Sequence, residues 1–364
     1  FGPLERGRAL GLNAVSVAIG LSLGPALGGL LTEVGTWRAI FFVNVPVGVF
    51  AILWAARILP PEPGGRRQAF DVPGAGLSAA GLFTLLLALN QGSTLGWSSP
   101  PVVGLLVLAA GLGRAFIRVE RRSSAPMIDL RLFRIRTFSA GLVAVVVAFA
   151  GLFTATFLLP FLLQEGSGYT PLEAGLLITP IPLTAALVAP FSGALSDRIG
   201  QRVPATVGIA VLGAGLLSLT TLPDPFAVED LAWRLALIGA GPGLLLSPHS
   251  SAILGSVPRP RLGTASGMIA QMRVIGQAFG IVISAAVVAV RLPAPLAALG
   301  GMPAQDAQQE ALVLAIHDAF VVAALICSVG IVASLLRGPA VPRSASGSPA
   351  GPASDSVTDP AGAG

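Results

Sequence analysis

Few residues in this 364-residue sequence carry reactive chemistry. The candidates are two histidines, His249 and His317, one cysteine, Cys327, and isolated charges set inside long apolar stretches, above all Arg273 and Asp318. Acid-base, nucleophilic and metal chemistry each need such groups gathered in one place, as in H-E-x-x-H, where two histidines share a helical face with a glutamate. Here the histidines lie in different apolar stretches with no carboxylate-rich cluster beside either, and the lone cysteine offers neither a disulfide framework nor a zinc site. We assign no catalytic residue and no metal site, and read His249 and His317 as interfacial or packing residues and Cys327 as a small core residue. Lysine is absent altogether, which removes the phosphate-gripping lysine of a P-loop and any Schiff-base lysine.

Two motifs are richer in information. The first is G-x-x-x-G-P-x-x-G-G, formed by Gly20, Gly24, Pro25, Gly28 and Gly29. Glycines at 20, 24 and 28 fall on one helical face and predict close approach of a neighbouring helix, while Pro25 removes a backbone donor and predicts a bend. The second is Gly193-Ala-Leu-Ser-Asp197-Arg198-Ile-Gly200-Gln-Arg202, a short polar loop between two apolar stretches.

The elements that must carry these motifs follow from composition. The chain is 54% hydrophobic and 11% charged, with a mean hydropathy of +0.82, whereas soluble domains carry about a quarter charged residues. Ten apolar stretches, most of them near the roughly 20 residues that span a bilayer core, are predicted at Ala9–Leu31, Ala39–Leu59, Val72–Asn90, Pro101–Val119, Thr137–Leu163, Pro171–Leu195, Val203–Leu222, Leu231–Leu254, Gly263–Val290 and Ala311–Leu336. Between them, eighteen arginines fall on one side and only Arg38, Arg234 and Arg291 on the other. That asymmetry predicts a cytoplasmic side holding both chain ends, and it accounts for the net charge of +5 without nucleic-acid binding. The connection from Arg118 to Arg136 mixes arginines with Met127, Ile128, Leu130, Leu132 and Phe133, and predicts an amphipathic stretch on the inner leaflet. Residues 337–364 are Gly-, Pro-, Ser- and Ala-rich and are expected to form a disordered cytoplasmic tail. Arg273 sits about ten residues, or roughly 15 Å, inside its span. A charge so deep should face the protein interior or water, with Asp318 one geometrically available partner and Gln271 or Gln277 others.

The glycine motif, with Glu5-Arg6-Gly7-Arg8-Ala9 before it and Trp37-Arg38-Ala39-Ile40-Phe41-Phe42-Val43-Asn44-Val45-Pro46 after it, resembles the antiporter motif of major facilitator superfamily drug exporters, fourteen-span drug:proton branch. Ala125–Phe138, the Gly193–Arg202 loop with Gln201 in place of a basic residue, and the stretch from Gly263 through Arg273, Gly276 and Gly280 are similar to segments of the same branch. The resemblance implies an all-α integral membrane fold of about ten helices with the first four absent. Residues 1–60 would close the amino-terminal half, 61–136 would add two central helices and a connection, and 137–336 would form the six-helix carboxyl-terminal half. It further implies multidrug efflux by alternating access, driven by the proton gradient with no cofactor, in a plasma-membrane protein that is monomeric when full length. Its partners would be lipid, a small-molecule substrate and protons. In that family the loop carboxylate, here Asp197, latches a cytoplasmic gate. A membrane-embedded enzyme or a channel-like pore is the alternative.

Overall fold

In the computed structural model, the described residues are 20, 23–58, 71–123, 126, 128, 130–223, 225–258, 261–298 and 303–335. Every regular element among them is helical. Helix α1 covers residues 23–34, followed by α2 (Trp37–Ile58), α3 (Val72–Leu95), α4 (Pro100–Arg122) and α5 (Arg136–Phe161). Next come α6 (Pro171–Ile178), α7 (Pro180–Ile199), α8 (Arg202–Leu219), α9 (Val228–Gly255), α10 (Leu262–Arg291), α11 (Pro293–Ala298) and α12 (Ala304–Leu335). Nine segments among the described residues are long and apolar enough to cross a membrane. Their boundaries follow local chemistry: Asp71 caps α3 by accepting the Gly74 N–H at 2.9 Å, Thr170 and Glu173 form a reciprocal capping box on α6, and Gly200 at φ +84° ends α7.

Three expectations shift. Helix α12 begins at Ala304, seven residues before the predicted start, because the polar run from Ala304 to Glu310 is made of good helix formers. Asp306 and Glu310 therefore lie on that helix and not in a loop. The span from Pro171 breaks at Thr179, where the α6 hydrogen-bond ladder stops ahead of Pro180. Between α4 and α5, Leu130–Arg134 forms a single 3₁₀ turn. Its apolar residues divide: Ile128 and Leu132 enter a core with Phe138, Leu142 and Met268, while Phe133 stays exposed. Met127, the proposed tail 337–364 and the amino-terminal flank with Arg6 and Arg8 lie outside the described residues.

Helix α5 is the centre of the bundle. It packs on α10 and α12, while α9 holds α7 and α8 and α12 closes against α8. Leu158, Leu159, Leu212, Leu216, Leu235, Ile238, Ile316 and Phe320 fill the space between them. Lipid offers little hydrophobic drive for one helix to leave it for another, so close backbone approach and hydrogen bonds must hold the bundle. Glycines supply that approach. A Cβ placed on Gly208 of α8 would lie 2.6 Å from the Gly241 carbonyl of α9, and one on Gly241 would lie 2.8 Å from the Gly208 carbonyl. On α10, a Cβ at Gly276 would lie 2.5 Å from the Val146 carbonyl of α5, and Thr154 of α5 donates to the Gly280 carbonyl at 3.2 Å. Helices α3 and α4 form a separate pair that touches the bundle through α3 and α10. Helix α2 buries none of its residues among those described.

Candidate functional site

The glycine motif lies where α1 crosses α6. The contact is made by Gly29, not by the 20/24/28 face. A Cβ on Gly29 would strike the Pro171 carbonyl and lie 2.8 Å from Leu172 Cα. From the other side, a Cβ on Gly175 would strike the Pro25 carbonyl and lie 3.3 Å from Ala26 Cα. Gly20, Gly24 and Gly28 would meet nothing within 4 Å among the described residues. The α6 contact uses a different face from the one the spacing suggests: Pro25 and Gly29 lie four residues apart, about 100° around the helix from Gly24 and Gly28. Gly175 was missed because its signal is distributed, a small residue five positions after the Thr170 cap. The bend expected at Pro25 involves residues 21 and 22, which lie outside the described residues. Residues 20–24 also spell G-x-S-x-G, yet a nucleophile elbow needs a strand-to-helix turn, and residues 20 and 23–34 are helical.

The loop motif joins α7 to α8. Gly193 sits where a Cβ would lie 3.3 Å from Ser247 Oγ on α9, and Ser192 donates to the Leu244 carbonyl at 2.5 Å. Arg198 is exposed in the last turn of α7 and Gly200 makes the turn. Asp197 occupies that same last turn; its side chain lies outside the described set. Arg202 opens α8 and donates to the Leu335 carbonyl at the end of α12, while Thr206 and Ser334 share a hydrogen bond at 2.7 Å. A guanidinium on a helix's last carbonyls is favoured by the dipole and satisfies an orphan acceptor.

Arg273 and Asp318 are not paired. Asp318 accepts from Nε of Arg291 at 2.6 Å, a pair that is 58% and 37% exposed. The expected partnership fails because Arg291, placed by the sequence in an outer loop, is the last residue of α10 and meets Asp318 side by side on α12. Beside this pair an apolar cleft of about 620 Å³ opens between α3, α10 and α12, walled by Leu89, Trp97, Phe279 and Val287. Gln271 donates to Ser78 of α3 at 3.4 Å. Arg273 instead lies with its guanidinium 5.7 Å from the Phe149 ring of α5, and its Nε is buried without a hydrogen-bond partner.

Two buried groups escaped the sequence reading. Arg234, 7% exposed, donates to the Ser218 carbonyl and to Thr221 Oγ1 at 3.2 Å, tying α9 to the end of α8. Glu120, 4% exposed, accepts the Ile128 N–H at 3.2 Å close to the Asp71 cap. Neither charge stands in a pattern that composition separates from a loop. His249 Nε2 donates to the Gly141 carbonyl at 2.6 Å, Cys327 is fully buried against Gly151, and His317 is half-buried on α12.

A profile described as Major Facilitator Superfamily matches residues 1–281. The chain is 36% identical over 281 residues to an uncharacterized transporter, YebQ, of Escherichia coli, covering 77% of this chain and 61% of that protein. It is 35% identical over 292 residues to the multidrug resistance protein Stp of Mycobacterium tuberculosis, covering 80% of this chain and 54% of that protein. Thus the chain spans a little over half the length of these relatives. Among solved structures, a bacterial homologue of the human lysosomal transporter Spinster, inward-facing and occupied, superposes with a TM-score of 0.55 at 16% identity. That alignment covers 94% of this chain and 71% of that one, and it shows the fold alone.

Proposed function

The chain belongs to the Major Facilitator Superfamily, and from that premise we propose that it works as part of a secondary active exporter of drug-like, amphipathic small molecules. The crossing of α1 with α6 carries this reading. Alternating access requires two bundles that rock against each other around a central site. At Gly29 and Gly175 the meeting surfaces are backbone against backbone, so one helix shifts on the other without unlocking interdigitated side chains. On this reading residues 1–60 complete the amino-terminal bundle, 61–136 form the central pair and its connection, and 137–336 form the moving carboxyl-terminal bundle. The Arg202–Leu335 and Thr206–Ser334 ties keep the loop side of α8 and α12 together as that bundle moves. The proton gradient supplies the energy with no cofactor, the protein is a plasma-membrane monomer, and the arginine-rich side is cytoplasmic. The name of Stp, a multidrug resistance protein, supports the substrate class.

The test is transport in everted vesicles from cells expressing the protein from its gene. An inside-acid gradient should drive uptake of ethidium or of fluorescein, and nigericin should collapse it. Gradient-independent behaviour of both dyes, equal to vesicles without the protein, overturns the export reading.

A further inference from the structure

Arg273 is the twelfth residue of the 30-residue helix α10, about 16 Å from one end and about 27 Å from the other at 1.5 Å per residue. A guanidinium at that depth needs a counter-charge or water. Two of the three partners available in sequence are engaged elsewhere, since Asp318 holds Arg291 and Gln271 binds Ser78; the third, Gln277, carries no charge to balance a guanidinium. What Arg273 does have is an aromatic neighbour, Phe149, whose ring stacks on Phe153 at 6.4 Å. The adjoining face of α10 carries Gly263, Ser266, Gly267, Ala270 and Val274, all exposed, and Cβ atoms at Gly263 and Gly267 would meet nothing within 4 Å. No described helix covers that face. Arg273 stands at its edge, half-buried, with Gln277 one turn along.

We infer that Arg273 is an anion-binding residue of the transport path, and that with the Phe149–Phe153 pair it selects substrates combining an aromatic ring system with a carboxylate or similar oxyanion. The inference rests on the export reading and names its substrate class. A guanidinium presents a planar, permanently charged fork that matches a carboxylate with two parallel hydrogen bonds. In a low-dielectric surrounding that attraction is strong and a cation at the same place is repelled. Half-buried Phe153, with the buried Phe149 stacked against it, supplies ring contact beside the charge, which a compact inorganic anion does not use. An acid from a segment outside the described residues is the competing partner for Arg273, and the test separates the two.

Cells expressing the protein from its gene are loaded with fluorescein, an aromatic carboxylate, or with ethidium, an aromatic cation, and efflux is timed at matched membrane levels. Wild type is expected to export fluorescein. Arg273→Gln should lower the ratio of fluorescein to ethidium export at least tenfold, with Arg273→Lys recovering part of it and Phe149→Leu lowering it several-fold. Where wild type moves fluorescein alone, its rate is the readout. Arg273→Met provides the same test if the glutamine variant is poorly inserted. An unchanged ratio in the neutral variants, or equal loss of both dyes, overturns the inference and assigns Arg273 a structural ion pair. Export of ethidium without fluorescein by wild type overturns the inference while the export reading stands. Movement of neither dye overturns both.

Discussion

At the scale of single residues, the decisive fact is which glycine a neighbouring backbone touches. Gly29 and Gly175 face carbonyls of the opposite helix that cannot swing aside as a side chain tip would. Gly29→Leu or Gly175→Leu should therefore force α1 from α6, at a cost on the scale of about 1–3 kcal/mol for overpacking, and should abolish export while the protein still inserts, since apolar length is unchanged. Gly24→Leu adds a side chain where no other described residue lies within 4 Å of the new Cβ and should keep at least half of wild-type export. Efflux rates normalised to membrane protein decide this, and the reverse order of the two sensitivities would refute the crossing as placed. The motif itself was legible, because five small or rigid residues at that spacing are hard to read as anything but a packing surface. Its contacting face was not, since the angular position of a partner helix is a tertiary fact. The same holds for Arg273 and Asp318: their depth was readable from residue counts, their partners were not.

At the scale of elements, the helices were readable to within a few residues wherever an apolar run ended at a proline, glycine or arginine, as at Pro100, Gly200 and Arg202. They were misread where polar residues continue a helix, as over Ala304–Glu310, while the run from Pro171 crosses as the one span expected, interrupted at Thr179 ahead of Pro180. What holds these elements together is reciprocal glycine contact, and α8 against α9 is the sharpest case. Gly208→Ala places a methyl 2.6 Å from the Gly241 carbonyl, so the helices must separate, and the thermal midpoint of the purified protein in detergent should fall. Gly255→Ala, at a glycine whose added Cβ would meet nothing within 4 Å among the described residues, should leave it unchanged and serves as the matched control. Between α10 and α12 the exposed Arg291–Asp318 pair is a positional marker more than a source of stability. Cysteines at both positions, with Cys327→Ala to remove the native thiol, should be joined rapidly by a short bis-maleimide linker. Failure to cross-link would place the end of α10 away from Asp318.

At the scale of the whole molecule, arginines gather at helix ends, and side-chain ties join the start of α8 to the end of α12 and the end of α8 to the beginning of α9. Arg57, Arg121, Arg122, Arg198 and Arg202 close helices or open them on one side. On the other side stand Arg38, Arg234 and Arg291, and two of these three are already engaged: Arg234 on the last carbonyls of α8 and Arg291 on Asp318. The proposed orientation, with the arginine-rich side cytoplasmic, rests on the count of arginines between the spans. Green fluorescent protein fused after Arg122 or Gly200 should fluoresce, and alkaline phosphatase fused after Trp97, Ser167 or Pro223 should be active, because these positions fall between helices on opposite sides of the bundle. Each reporter should be silent at the other's positions. An inverted pattern would reverse the direction assigned to export, and a mixed one would show that the helices do not alternate across the bilayer as they do in the bundle.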